Sequence, residues 1–125
     1  MVYCLLQPRP LNDWERDMLA RLLAVPFPGV EELRQQCPHL LVSEEYGEGD
    51  PTVIFIAARE QAPPVTVRYR VPVEGRAYEA NGTPVEVLLH VVDGYLWELE
   101  YVRYDVAPPQ PILGPEQFTI SVATY

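Results

Sequence analysis

Residues 85–102, "VEVLLHVVDGYLWELEYV", constrain the fold more than any other stretch of this chain. Apolar residues recur at every second position on both sides of an Asp-Gly pair. A period of two places alternate side chains on opposite faces of a strand, and Asp-Gly between two such runs is a hairpin signal. Upstream, Val65, Val67, Tyr69, Val71 and Val73 alternate in the same way, with Thr66, Arg68, Arg70, Pro72, Glu74 and Arg76 between them. Gly75 and Ala77 continue the parity, and "ANG" at 80–82 marks a second turn. The expectation is a three-strand antiparallel meander, roughly 65–79, 83–92 and 95–104.

Two registers compete at "VDG". A two-residue turn pairs Val92 with Tyr95 and puts Glu98 and Glu100 on the face of Val85, Val87, Leu89 and Val91. A three-residue loop with Gly94 left-handed pairs Val91 with Tyr95, so Tyr95, Trp97, Leu99 and Tyr101 join that apolar face instead. A one-residue slip inverts every side chain, so burial selects the second register. The same rule at "ANG" pairs Ala77 with Val85, and both turns then define one apolar face. In this register Glu86 lies opposite Glu100 and beside Arg76, Glu98 lies opposite Leu88, and His90 lies between Leu96 and Pro72. Pro72 lacks an N–H and suggests an edge or bulge there.

Helices are expected first in the chain. In "LNDWERDMLARLLAV", Asn12 is a good N-cap with Glu15 three residues on, the pattern of a capping box. Trp14, Met18, Leu22 and Val25, widened by Leu19 and Leu23, form one apolar stripe ended by Pro26. "VEELRQQC" predicts a short second helix presenting Val30, Leu33 and Cys37, stopped by Pro38. "HLLVS" and "PTVIFIAA" predict strands, the latter covered on both faces, and Phe118, Ile120 and Val122 allow a last short one. "MVYCLLQPRP" is read only as a segment that breaks at Pro8.

The fold class that follows is α+β: one or two N-terminal helices on one face of an antiparallel, largely meander sheet of about five strands. The 125 residues suit a single domain with a core over about 9–105 and a Pro-rich tail over 106–125. Prolines number 14 and cluster between the periodic segments, so they punctuate the chain.

Net charge is −9, and the basic residues are all arginine. That balance disfavours nucleic acid and anionic membranes as partners and favours a basic protein. Two cysteines, Cys4 and Cys37, are too few for a disulfide scaffold, and no apolar run approaches a membrane span. A reduced, cytoplasmic location is the default.

No catalytic residue, cofactor or metal is expected. Paired glutamates can carry acid–base chemistry, but Glu86, Glu98 and Glu100 fall on a face with nothing evident to desolvate them. Glu86 and His90 stand roughly 13 Å apart along one strand, too far to share a metal, whereas His90 and Glu98 are diagonal neighbours. Cys37 and His39 alone are a weak zinc signal. "YGEGDP" lacks the spacing and lysine of a phosphate loop.

The polar face also carries Leu88, Leu96 and Val102, a patch rimmed by Glu86, His90, Glu98 and Glu100. An apolar patch with a charged rim suits a partner site. The expected function is therefore a small acidic, non-enzymatic protein-binding module, for which an immunity- or inhibitor-type role fits. A homodimer through this face would set acidic rims together unless Arg68, Arg70, Arg76 or Arg103 interleave. The alternative is a small-molecule-binding protein or enzyme with a pocket between helices and sheet, walled by Tyr69, Tyr95, Trp97 or Tyr101.

"RPLNDWERDMLARLL", "FPGVEELRQQ" and "NGTPVEVLLHVVDGYLWELEYVRYD" together resemble a family of small bacterial proteins classed only as a domain of unknown function. The resemblance covers most of residues 9–105 and implies a short α+β protein with the helices first. Many members carry a cysteine-rich stretch before the first long strand. The corresponding stretch here, "EEYGEGDPTV", has no cysteine, so any metal held there elsewhere in the family is not implied for this chain. The resemblance implies no activity and no catalytic residues.

Overall fold

The computed structural model describes residues 2–57, 59–104 and 110–124. The first tail residues, 106–109, lie outside them. The chain is α+β: two helices and an open antiparallel sheet of seven strands. The strands are β1 (Tyr3–Arg9), β2 (Leu41–Glu45), β3 (Val53–Ile56), β4 (Val73–Tyr78), β5 (Pro84–Val92), β6 (Tyr95–Arg103) and β7 (Thr119–Val122). Their order is β1-β2-β3-β6-β5-β4-β7, two meanders joined where β3 meets β6, with β7 added beside β4.

Two strands exceed the five expected. The tail alternation at Phe118, Ile120 and Val122 does produce β7, which pairs with β4. β1 left no period-two signal because neither of its faces is buried. It is an edge strand, irregular in register between Cys4 and Arg9, and its Pro8 blunts further pairing.

Helix α1 (Asp13–Leu22) begins as expected. The Glu15 N–H donates to Asn12 Oδ1 and the Asn12 N–H donates to Glu15 Oε1, both at 2.9 Å. Arg9 from β1 clamps the same buried Glu15 carboxylate at 2.9 and 3.0 Å. Met18, Leu19, Leu22 and Leu23 are all but fully buried against the sheet. The helix ends at Leu22, short of the expected Val25. Helix α2 (Val30–Gln36) buries Val30 and Leu33, and also Gln36, a polar residue only 1% exposed. The sheet offers Val53, Phe55, Val73, Ala77, Val85, Val87, Leu89 and Leu99 to these helices, and together they form the core.

β4 is shorter than the expected 65–79. Val65 is buried and Val67 packs against the core, so the parity survives. The ladder does not: upstream of Val73, the Val65 N–H reaches Gly94 O and Arg70 O accepts from the Val91 N–H. Pro72 interrupts the donor series where the strand begins, and the "ANG" register, which carried further along the strand sets Val71 opposite Val91, stops short of that pair.

The "ANG" turn is as predicted, with Ala77 opposite Val85, Arg76 opposite Glu86 and Gly82 at φ 87°. The "VDG" turn is not. Asp93 and Gly94 both have positive φ, 53° and 84°, and Val92 pairs with Tyr95. That is the two-residue turn set aside above. A β-bulge after Leu96 then inserts one residue, so His90 faces Glu98, Leu89 faces Leu99 and Val87 faces Tyr101. The bulge restores the parity that burial demands, and Leu99 and Tyr101 do point coreward.

Two residues near the bulge move. Leu96, expected on the polar face, is opposite Val91 in the core and 1% exposed. Trp97, expected in the core, is the inserted residue and is 37% exposed.

Candidate functional site

The helices cover one face of the sheet. The opposite face is built by the off-parity residues: Glu74, Arg76 and Tyr78 of β4; Glu86, Leu88 and His90 of β5; Glu98, Glu100 and Val102 of β6; and Ile54 and Ile56 of β3. The bulge decides which of them meet. Glu86 lies opposite Val102 and not Glu100, so the expected row Arg76–Glu86–Glu100 loses its third member. Arg76 still reaches Glu86 at 2.9 Å. Glu100 now faces Leu88 and turns to His90, whose Nε2 lies 2.8 Å from Glu100 Oε1.

On the other side of the ring, Arg70 Nε donates to His90 Nδ1 at 3.1 Å. Because an arginine can only donate, Nδ1 must be the acceptor and the ring proton sits on Nε2, donated to Glu100. The Arg70 guanidinium also stands 5.3 Å from the centroid of the Trp97 ring.

Glu98 is the anomaly of this face. It is 8% exposed, directly opposite both His90 and Ile54. Among the described residues its carboxylate receives no hydrogen bond. Burial pushes its carboxyl above the ordinary range; His90 opposes that shift and Glu100 adds to it. Tyr46, beyond β2, lies within electrostatic reach: burial, then Glu98 and Glu100, raise its hydroxyl.

One potential ligand atom from each of His90, Glu98 and Glu100 falls within 4.8 Å of the others. Cys4, Cys37 and His39 do not join this group. Cys37 is half-buried with its thiol on Leu33 O, and His39 is exposed.

Of the seven residues expected at a partner site, Glu86, Leu88, His90, Glu98, Glu100 and Val102 do share the open face; Leu96 does not. Arg70 was legible as a polar-face residue but not as the partner of His90. Tyr46 follows a strand end and carries no periodic signal. The four aromatic residues proposed as pocket walls do not converge. Tyr69 lines a cleft of about 290 Å³ beside Phe27 and Pro72, Tyr95 and Trp97 line one of about 300 Å³ at the hairpin end, and Tyr101 packs between Trp14 and Phe118.

Fold and face together define an α+β protein whose described helices pack on one sheet face and leave the other, carboxylate-rich face without a helix. Compared with protein-family models, curated proteins and solved structures, the chain gives no match. No described helix is long and apolar enough to cross a membrane.

Proposed function

We propose that this chain is a small acidic protein-binding module that docks through the open face of its sheet onto a basic protein surface. The observation that carries the reading is that both described helices pack on the opposite face of the sheet. Leu88 and Val102 are only partly covered, and Trp97, Ile56, Tyr78 and Tyr104 are exposed around them, interleaved with Glu86 and Glu100. Apolar contacts ringed by carboxylates match a surface that combines apolar anchors with Lys or Arg.

Trp97 takes the place in this surface that sequence reasoning assigned to Leu96. The net charge of −9 disfavours a second copy and favours rapid encounter with a cation-rich partner. An immunity- or inhibitor-type role suits such a module. The two free cysteines are in keeping with a cytoplasmic setting. The resemblance to a family of small bacterial proteins belongs to the same reading and adds no activity. Met18, Leu22, Leu33, Leu89 and Leu99 fill the middle of the space between helices and sheet, and the clefts there lie at its margins, one of about 400 Å³ between Trp14, Glu15, Glu45 and Val53.

The test is kinetic. A partner captured from the source cell and then purified is bound to the wild type and to variants at two salt concentrations. Glu86→Lys and Glu100→Arg should slow association, most at low salt, and Leu88→Ala should mainly speed dissociation. A partner whose binding ignores changes at Glu86, Leu88, Trp97, Glu100 and Val102 rules this face out.

A further inference from the structure

We propose that His90, Glu98 and Glu100 form a binding site for a divalent first-row transition ion such as Zn²⁺ or Mn²⁺. The inference does not rest on the docking role. It rests first on donor chemistry: one imidazole and two carboxylates, with ligand atoms within 4.8 Å of one another, are a nitrogen–oxygen set that such ions accept.

It rests second on Glu98. Glu98 as a residue is 92% removed from solvent, its oxygens keeping only residual solvent contact, and a carboxylate so placed normally has a hydrogen-bond donor or a cation in direct contact. Glu98 has neither among the described residues, and it points into the group that contains His90 and Glu100. An ion there supplies the missing positive charge.

The backbone makes the arrangement stiff. His90 and Glu98 are directly opposed across β5 and β6, and Glu100 is the next residue on the same face of β6. Ligands on adjacent strands of a central pair hold their spacing better than ligands on loops.

Two local changes accompany binding. Donor atoms of a tetrahedral ion stand ~3.3 Å apart, given bonds of ~2.0–2.1 Å. The present 2.8 Å contact between His90 Nε2 and Glu100 Oε1 must therefore open slightly, with the ion replacing the shared proton. The proton on Nε2 passes to Nδ1, which then repels the Arg70 N–H that now donates to it. Arg70 is exposed and free to swing out, and as it leaves His90 it also leaves the Trp97 ring. Three protein ligands leave at least one position for water or for a group from a partner.

The experiment titrates the metal-stripped full chain with Zn²⁺ and with Mn²⁺ by calorimetry, while tryptophan emission is followed. One equivalent should bind, with a change in Trp97 emission. His90→Gln, Glu98→Gln and Glu100→Gln should each weaken binding by about tenfold or more, in chains whose circular dichroism shows them folded. Cys37→Ser and His39→Asn should leave it unchanged. Co²⁺ should give visible absorption without the near-ultraviolet band of a thiolate ligand. Arg70→Ala removes the competing cation from an exposed position and should tighten binding; this variant keeps the test decisive where the ligand variants fail to fold. No binding at millimolar ion, binding abolished by Cys37→Ser or His39→Asn, or binding weakened by Arg70→Ala would each overturn the proposal.

Discussion

The side chain of Gln36 holds the bulge of the β5–β6 hairpin: its Oε1 accepts from the Leu96 N–H at 3.0 Å and its Nε2 donates to Gly94 O at 2.9 Å. A bulge leaves ladder groups unpaired, and buried unpaired groups are costly. Helix α2 supplies the partner from 60 residues away in sequence. Gln36→Leu strips the Leu96 N–H of its acceptor inside the core. The expected cost is about 1–3 kcal/mol, read as a lower melting temperature and faster hydrogen exchange at the Leu96 amide. An unchanged melting temperature would mean that the hairpin keeps its bulge unaided.

Gly82 and Gly94 share a left-handed backbone but not an environment. A Cβ at Gly82 meets nothing within 4 Å, whereas at Gly94 it would lie 2.7 Å from Pro64 Cβ and 2.8 Å from the Val65 nitrogen. Gly82→Ala should cost about 1–2 kcal/mol, the penalty of the left-handed region alone. Gly94→Ala should cost distinctly more, because backbone must also move. Equal losses in denaturant titrations would contradict the close packing of the turn.

Leu89 is fully buried at the centre of the sheet, opposite Leu99. Leu89→Ala should destabilise by about 2–5 kcal/mol through lost burial and the cavity left behind. Trp97→Ala, at an exposed position, should cost far less. The order of the two in thermal melts checks the corrected assignment of faces.

The two cysteines should differ in reactivity. Burial pushes the Cys37 thiol up to about 11, while Cys4 is exposed. At pH 8, iodoacetamide should label Cys4 in the native chain and both cysteines in denaturant, counted by mass spectrometry. The sign of the linked pH effect follows. Between the ordinary thiol value of about 9.0 and 11 the unfolded chain loses this proton while the folded chain keeps it. The contribution of Cys37 to stability is therefore full below pH 9 and declines as pH rises towards 11. Rapid native labelling of Cys37 would show the site to be open.

Sequence alone determined what short-range physics controls. The Asn12–Glu15 capping box, the apolar stripe of α1, the left-handed Gly82 and Gly94, and the buried faces of β4, β5 and β6 each depend on neighbours a few residues apart, or on parity along one strand. Where the deciding group lay far along the chain, the pattern was silent. The two registers weighed at "VDG" looked exclusive, yet the hairpin takes the turn of one and the faces of the other, because Gln36 makes an extra residue at Trp97 affordable. That insertion set Glu98 against His90, freed Glu100 from Glu86, sent Leu96 into the core and brought Trp97 out under Arg70. β1 stayed invisible because an edge strand that buries neither face has no period to read. Alternation along a strand fixes which side a residue takes; only packing between elements decides which residue it meets there, since a single bulge shifts every contact beyond it while leaving the buried pattern intact.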